Sequence, residues 1–191
     1  MTISDTIDTS ISPELLSRWS PYGFDPERSV NADDLRALFE AARSAASSYN
    51  AQPWRYIVGV RERDPETWDR VRQTLVPANE AWARQAPVLA LGLIQPNFEH
   101  NGKPNVAAPH DLGAASASLT FEATRRGLLV HQMIGFDAAA ASEAFELAEL
   151  QPFTAIAIGY QGQAPSAELA ERDSARKPRK PLSELIVAGQ L

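Results

Sequence analysis

Cysteine is absent from all 191 residues, which removes disulfides, thiolate nucleophiles and cysteine zinc sites together. No apolar run approaches the length of a membrane span, and residues 1–12 are polar and acidic, with neither a basic n-region nor an apolar h-region. These absences imply a soluble, cytoplasmic protein. Basic charge is short as well. Lys and Arg number 18 against 24 Asp and Glu, a net charge of -6, which argues against generic nucleic-acid binding because that relies on neutralising phosphates. Any anion must be met locally.

The glycine devices for nucleotides are missing too. There is no G-x-G-x-x-G after a strand and no G-x-x-x-x-G-K-[ST], so a bound nucleotide would be held by another arrangement. No G-x-S-x-G elbow occurs, and His100, His110 and His131 are dispersed without the H-E-x-x-H spacing that puts two metal ligands on one helix face. Each lone histidine reads first as structural, and no metal site is expected.

What is present reads as one domain with arms, large enough to bury a core. The spacing predicts a short helix opening at Ser12-Pro13, and a longer one capped by Asn31 that carries Leu35, Leu38, Phe39 and Ala42. A strand over 56–60 follows, then a helix capped by Asp64 and a short helix over 79–84. Residues 87–94 form a near-continuous apolar run, the pattern of a central strand buried on both faces. The Pro- and Asn-rich stretch 95–108 reads as a loop, a pocket rim on which Phe98 and His100 are the candidate lining residues. A helix over 111–126 ends at Gly127, a strand starts near Leu128, Asp137 caps an alanine-rich helix, and 153–159 is the last core strand. Strands alternating with helices at uneven spacing give a three-layer α+β domain rather than a regular doubly wound sheet. Its expected parts are an arm over 1–17, a binding domain over 18–162 and a basic extension over 163–191.

Four separated pieces offer polar groups suited to a flat, phosphate-bearing ligand. Arg18-Trp19-Ser20 pairs a fixed cation with a hydroxyl. Ser47, Ser48, Asn50 and Gln52 bring two hydroxyls and two carboxamides, which donate and accept at neutral charge as a heteroaromatic edge requires. An ordinary polar turn accounts for the same residues on local grounds, and both readings stand at this point. Gln132-Met133-Ile134-Gly135 is a strand-to-turn backbone, and Lys177-x-Arg179 adds two cations.

In combination these motifs resemble the nitroreductase family. The resemblance is carried by R-x-S at Arg18, S-S-x-N-x-Q-P-W from Ser47, N-x-x-W-A-x-x-A-P from Asn79, D-x-G-A-A from Asp111, G-L-x-x-x-x-x-x-G-F-D from Gly127 and the terminal K-x-R, and it runs from about Arg18 to Leu185. It implies a central mixed β-sheet flanked by helices, an intertwined homodimer with FMN at each end of the interface, and NADH or NADPH as electron donor. Arg18 and Ser20 would then contact the flavin phosphate or pyrimidine side, Asn79 the ring edge, and Lys177 and Arg179 the phosphate. Ser47, Ser48, Asn50 and Gln52 would reach across from the partner subunit, and a backbone N-H at Ile134 or Gly135 would face N5. No catalytic side chain is implied, because the hydride chemistry belongs to the cofactor.

The chain also departs from the family. Tyr22 and Trp82 stand where many members have flavin-binding lysines, and Ala46 replaces a common proline. Fewer cations near the pyrimidine imply a lower flavin reduction potential. Trp82 is then either a wall of the substrate pocket or a packing residue. The implied function is NAD(P)H-driven reduction of a nitroaromatic, quinone or similar conjugated acceptor by a ping-pong mechanism. A specialised FMN oxidase or dehydrogenase, a flavin storage or sensor protein, and a helical interaction domain without cofactor are the alternatives.

Overall fold

The computed structural model describes residues 11–175 and 177–189. The arm expected over 1–17 is therefore described only from residue 11, and Arg176 and the last two residues of the basic extension lie outside the described set. In chain order the elements are α1 (Pro13–Ser17), α2 (Ala32–Arg43), a 3-10 turn (Ser48–Asn50), β1 (Trp54–Val60), α3 (Pro65–Gln73), α4 (Pro77–Ala83), β2 (Val88–Ile94), α5 (Ala108–Arg125), β3 (Leu129–Met133), α6 (Ala138–Ala144), β4 (Gln151–Gly159), α7 (Ala167–Ser174) and α8 (Leu182–Leu185).

Helix starts follow their caps. Asn31 accepts the Asp34 N-H at 2.7 Å, Asp64 the Thr67 N-H at 3.0 Å, and Asp137 the Ala139 and Ala140 N-H groups, satisfying donors that a helix leaves without an internal partner. α5 begins at Ala108 rather than at Asp111, with Pro109 in its first turn, where the missing N-H costs nothing. α6 stops at Ala144, before Glu146 turns left-handed at φ 52°.

The four strands form one sheet in the order β1-β2-β4-β3, with β2 in an inner position and all seven of its residues buried. The pleat then sorts the core into two layers. Val88, Ala90 and Ile94 face α2 and α5, where Leu38, Leu112, Ala115 and Leu119 are buried, while Leu89, Leu91 and Leu93 face Trp68, Val71 and Trp82 of α3 and α4. Gly59 is required on this second side, because a Cβ there would run into the Trp68 backbone. The helix-sheet-helix arrangement is the three-layer α+β fold read from the sequence.

The mixed sheet is not. All three strand pairings among the described residues are antiparallel. Helical connections between strands suggest parallel neighbours. Here β2 and β3 do run in the same direction, but β4 inserts between them and opposes both. Among the described residues no helix is long and apolar enough to cross a membrane.

Candidate functional site

Strand β3 lies at one edge of the sheet, and the chain leaves it through Ile134 and Gly135 into α6. This exit is braced from α4. The Gly135 carbonyl accepts the Val76 N-H at 3.2 Å and the Asn79 Nδ2 at 2.9 Å. The approach is close enough that a Cβ on Gly135 would overlap the Asn79 amide and lie 3.2 Å from Val76 Cγ2. Ile134 is 70% exposed, and neither its N-H nor that of Gly135 donates to a backbone carbonyl among the described residues. The result is a pair of backbone donors at a sheet edge, held by a side chain whose Oδ1 remains an acceptor. Gln132 turns the other way. Its Nε2 donates to Thr120 Oγ1 at 3.0 Å and to the Ser116 carbonyl at 3.2 Å, tying β3 to α5. Gln132, Met133 and Ile134 line a hollow of about 170 Å³ with Gly113 and Phe153.

Trp82 is a core residue, which corrects its reading as a pocket wall. It is 1% exposed and stacks on His131, ring centroids 4.4 Å apart, with Tyr22 edge-on to both rings at 5.3 and 5.1 Å. A large ring on the inner side of α4 is held by packing, as aromatics usually are. His131 Nδ1 lies 2.7 Å from the Pro21 carbonyl, which only accepts, so Nδ1 carries the hydrogen. Burial holds its pKa below the usual histidine value, opposed by the Pro21 bond and by the charge of Asp173. At neutral pH the cluster is therefore uncharged where the resemblance placed lysines.

The polar loop between α2 and β1 is a tight left-handed turn. Tyr49, Asn50 and Gln52 have φ of 54°, 54° and 46°, a region that non-glycine residues seldom occupy. Local bonds hold it: Ser47 Oγ accepts the Gln52 N-H at 3.0 Å, and Gln52 Nε2 donates to the Asn50 carbonyl at 3.1 Å. A long-range bond anchors it. Asp111, 3% exposed at the start of α5, accepts the Ser48 N-H at 3.0 Å. Tyr49 is pushed outward, 85% exposed, and packs edge-on to Phe98 at 5.7 Å with His100 at 6.2 Å. Arg55 ties the same rim to the loop through Glu99 at 2.9 Å. Between loop and rim lies a cleft of about 290 Å³ lined by Asn50, Gln52, Gln95, His100 and Asn105. The structure thus brings Phe98 and His100 to the polar loop and not to Trp82.

Arg18 is half-buried at the end of α1, Trp19 half-buried and Ser20 exposed. Trp19 lines a groove of about 590 Å³ with Gly162, Ala164, Ala170 and Asp173. Lys177 and Arg179 are exposed beyond α7. Among the described residues no hydrogen bond links the polar loop to the Asn79 and Gly135 pair. Sequence reasoning gave Asp111 as a helix start and as part of a motif but not as the anchor of the polar loop, and it missed Tyr49 and Asp173 as structural participants. The D-x-G-A-A string was the one signal for the first; the other two had none.

Backbone donors at a sheet edge, uncharged amides and hydroxyls on an exposed loop, and exposed cations beyond α7 are groups of the kinds that a flat ligand with an anionic end would call on. A family profile described as "Nitroreductase family" matches residues 15–160, and the chain belongs to that family. It is 40% identical over 83 residues, 42% of its length, to a Mycolicibacterium smegmatis protein described as a 15.4 kDa protein in the ask 5' region. It is 44% identical over 45 residues, 24% of its length, to the major NAD(P)H-flavin oxidoreductase of Aliivibrio fischeri. The matched segments span 56% and 21% of those relatives. A crystal structure described as an oxidoreductase containing FMN superposes with a TM-score of 0.88 at 28% identity, covering 100% of this chain and 98% of the other.

Proposed function

We propose that the protein is an FMN-dependent oxidoreductase that takes reducing equivalents from NADH or NADPH. It passes them to a nitroaromatic, quinone or similar conjugated acceptor in a ping-pong cycle, acting as a homodimer. The observation that carries this reading is the braced exit of β3, where neither the Ile134 nor the Gly135 N-H donates to a backbone carbonyl among the described residues and Asn79 holds the Gly135 carbonyl. Donors of this kind suit the edge of an isoalloxazine, and their rigidity suits a role in orientation. The cofactor, when bound, supplies the hydride chemistry.

The chain's residues do the holding. Arg18, Ser20, Lys177 and Arg179 would meet the phosphate, a permanently charged guanidinium being the stronger partner for a dianion. Ile134 and Gly135 would donate to the ring, with Asn79 Oδ1 left to accept from its edge. Ser47, Ser48, Asn50 and Gln52 would approach the flavin of the second subunit, a reading in keeping with the lack of a hydrogen bond between that loop and the Asn79 and Gly135 pair among the described residues. Tyr49, Phe98 and His100 would then border the acceptor there, excluding water beside a planar substrate.

Anaerobic titration of FMN-loaded protein with NADH and then NADPH tests the proposal. Bleaching of the flavin band, reversed by a nitroaromatic or quinone, is expected. A second reading, flavin storage without turnover, draws on the uncharged Tyr22, Trp82 and His131 cluster. It requires bound flavin that neither nucleotide reduces. A specialised oxidase or dehydrogenase would show reduction by its own substrate only.

A further inference from the structure

One carboxylate stitches the segment after Ser20 to the far end of the chain. Asp173, in the last turn of α7, accepts the Tyr22 N-H on Oδ1 at 2.8 Å and the Gly23 N-H on Oδ2 at 3.0 Å. Both oxygens are committed to consecutive backbone donors, which fixes orientation as well as distance. Helix energetics alone do not favour an acid there, because a carboxylate in the last turn faces the negative end of the helix dipole. The clamp offsets that local cost.

Its target has little freedom to move. The Gly23 carbonyl accepts the Gly162 N-H at 3.2 Å, and the Asp25 N-H donates to the Tyr160 carbonyl at 3.0 Å. His131 holds the Pro21 carbonyl at 2.7 Å. A Cβ on Gly162 would run into the Phe24 carbonyl, and one on Gly23 would lie 2.6 Å from the Ala164 nitrogen. Residues 21–25 therefore have a fixed place against residues 160–164, and Asp173 fixes α7 against them.

What the clamp sets is the relation between two cationic segments. An extended residue spans at most about 3.5 Å, so Ser20 stays within about 7 Å of Tyr22 and Lys177 within about 14 Å of Asp173, Cα to Cα. We infer that Asp173 is a positioning residue for the phosphate half of the site: by holding Tyr22 and Gly23 it keeps Arg18 and Ser20 in register with Lys177 and Arg179, and so selects a phosphorylated flavin over an unphosphorylated one. The inference rests on FMN being the cofactor. A through-space charge effect has the opposite sign, since a carboxylate near a phosphate dianion opposes binding and its removal would strengthen it.

The sign makes the experiment decisive. Full-length apoprotein, as wild type, Asp173→Asn and Asp173→Glu, is titrated with FMN and separately with riboflavin, following flavin fluorescence. Asparagine keeps one acceptor and sets an amide donor against the other N-H. FMN affinity is expected to fall about tenfold, ~1.4 kcal/mol, while riboflavin affinity stays within about twofold, the effect of an unrelated surface change. Glutamate, which retains both acceptors, is expected to recover part of the FMN preference. Unchanged or tighter FMN binding in Asp173→Asn overturns the inference, and so does a parallel loss for both ligands, which marks a purely structural role. If Asp173→Asn fails to fold, the FMN-to-riboflavin ratio of Asp173→Glu decides: a lowered ratio supports the inference and an unchanged one overturns it. A wild type with no preference for FMN over riboflavin would instead remove the phosphate assignment itself.

Discussion

Replacing Gly135 with alanine should disturb the β3 exit in a way that a second substitution repairs. The new Cβ would overlap the Asn79 amide and lie 3.2 Å from Val76 Cγ2. Asn79 must then rotate away, losing its 2.9 Å bond to the Gly135 carbonyl. Overpacking of this kind costs about 1–3 kcal/mol, and the lower half of that range applies because the displaced group is a side-chain end. Asn79→Ala alone should cost about 1 kcal/mol, one net hydrogen bond, since the carbonyl keeps the Val76 N-H at 3.2 Å. In the double variant there is no amide to strike, so the clash disappears and the bond is lost only once. Its total should be about 1–1.5 kcal/mol, less than the sum of the single variants, a coupling on the order of 1 kcal/mol. Urea denaturation of the apoproteins measures all four corners of the cycle. Strict additivity would refute the contact and, with it, the bracing of the Ile134 and Gly135 segment by Asn79. The same four proteins should rank alike in flavin retention if the N-H donors of that segment matter.

Four further outcomes follow from the same geometry. Tyr22→Lys should raise the flavin reduction potential by about 30 mV, the two-electron equivalent of ~1.4 kcal/mol; a potential unchanged or lowered in a redox titration contradicts the pyrimidine-side placement. Asp111→Ala leaves the Ser48 N-H without its 3.0 Å partner, so a loss of about 1–3 kcal/mol and weakened FMN binding are expected, and binding that is indifferent to the change would separate the loop from the flavin. Glu122 is held at a pKa of about 2 against an ordinary 4.5, first by its bond to Arg125 and also by Arg126. A depressed acid stabilises fully above its unfolded value, so its contribution of about 1 kcal/mol should fade as pH falls from 4.5 towards 2, and Glu122→Gln should flatten that stretch of the pH-stability curve. His131 titrates lower in the fold because of burial, so its stabilisation is complete above the unfolded value and is lost as pH drops through and below it; His131→Gln should remove the dependence of melting temperature on pH just below 6.5, and an unaltered slope would argue against a buried neutral ring.

Local chemistry was the most legible part of this fold. Asn31, Asp64 and Asp137 announce helix starts because a cap is decided within four residues, and the apolar run of β2 announces a strand covered on both sides. Strand direction was not readable, since antiparallel pairing of β4 between β2 and β3 is a property of the whole chain path and leaves no local period. The site divided in the same way. The string from Ser47 to Trp54 is visible as a turn, but its anchor, Asp111, lies 63 residues away. Trp82 has the size and position of either a pocket wall or a core residue, and only the stack with His131 and Tyr22 distinguishes the two. Asp173 is one acid among many in a polar stretch, and its role arises entirely from the return of the chain to Tyr22 and Gly23.

The left-handed backbone at Tyr49, Asn50 and Gln52 limits what substitutions those positions can accept. Asparagine tolerates this region and glycine enters it freely, whereas a β-branched residue is a steric outlier there. A saturation library at these positions should thus be depleted of valine, isoleucine and threonine whatever the acceptor supplied. At position 49 glycine would relax the backbone while deleting the ring that meets Phe98 and His100. Selection for stability and selection for substrate contact should therefore pull that single position towards different residues.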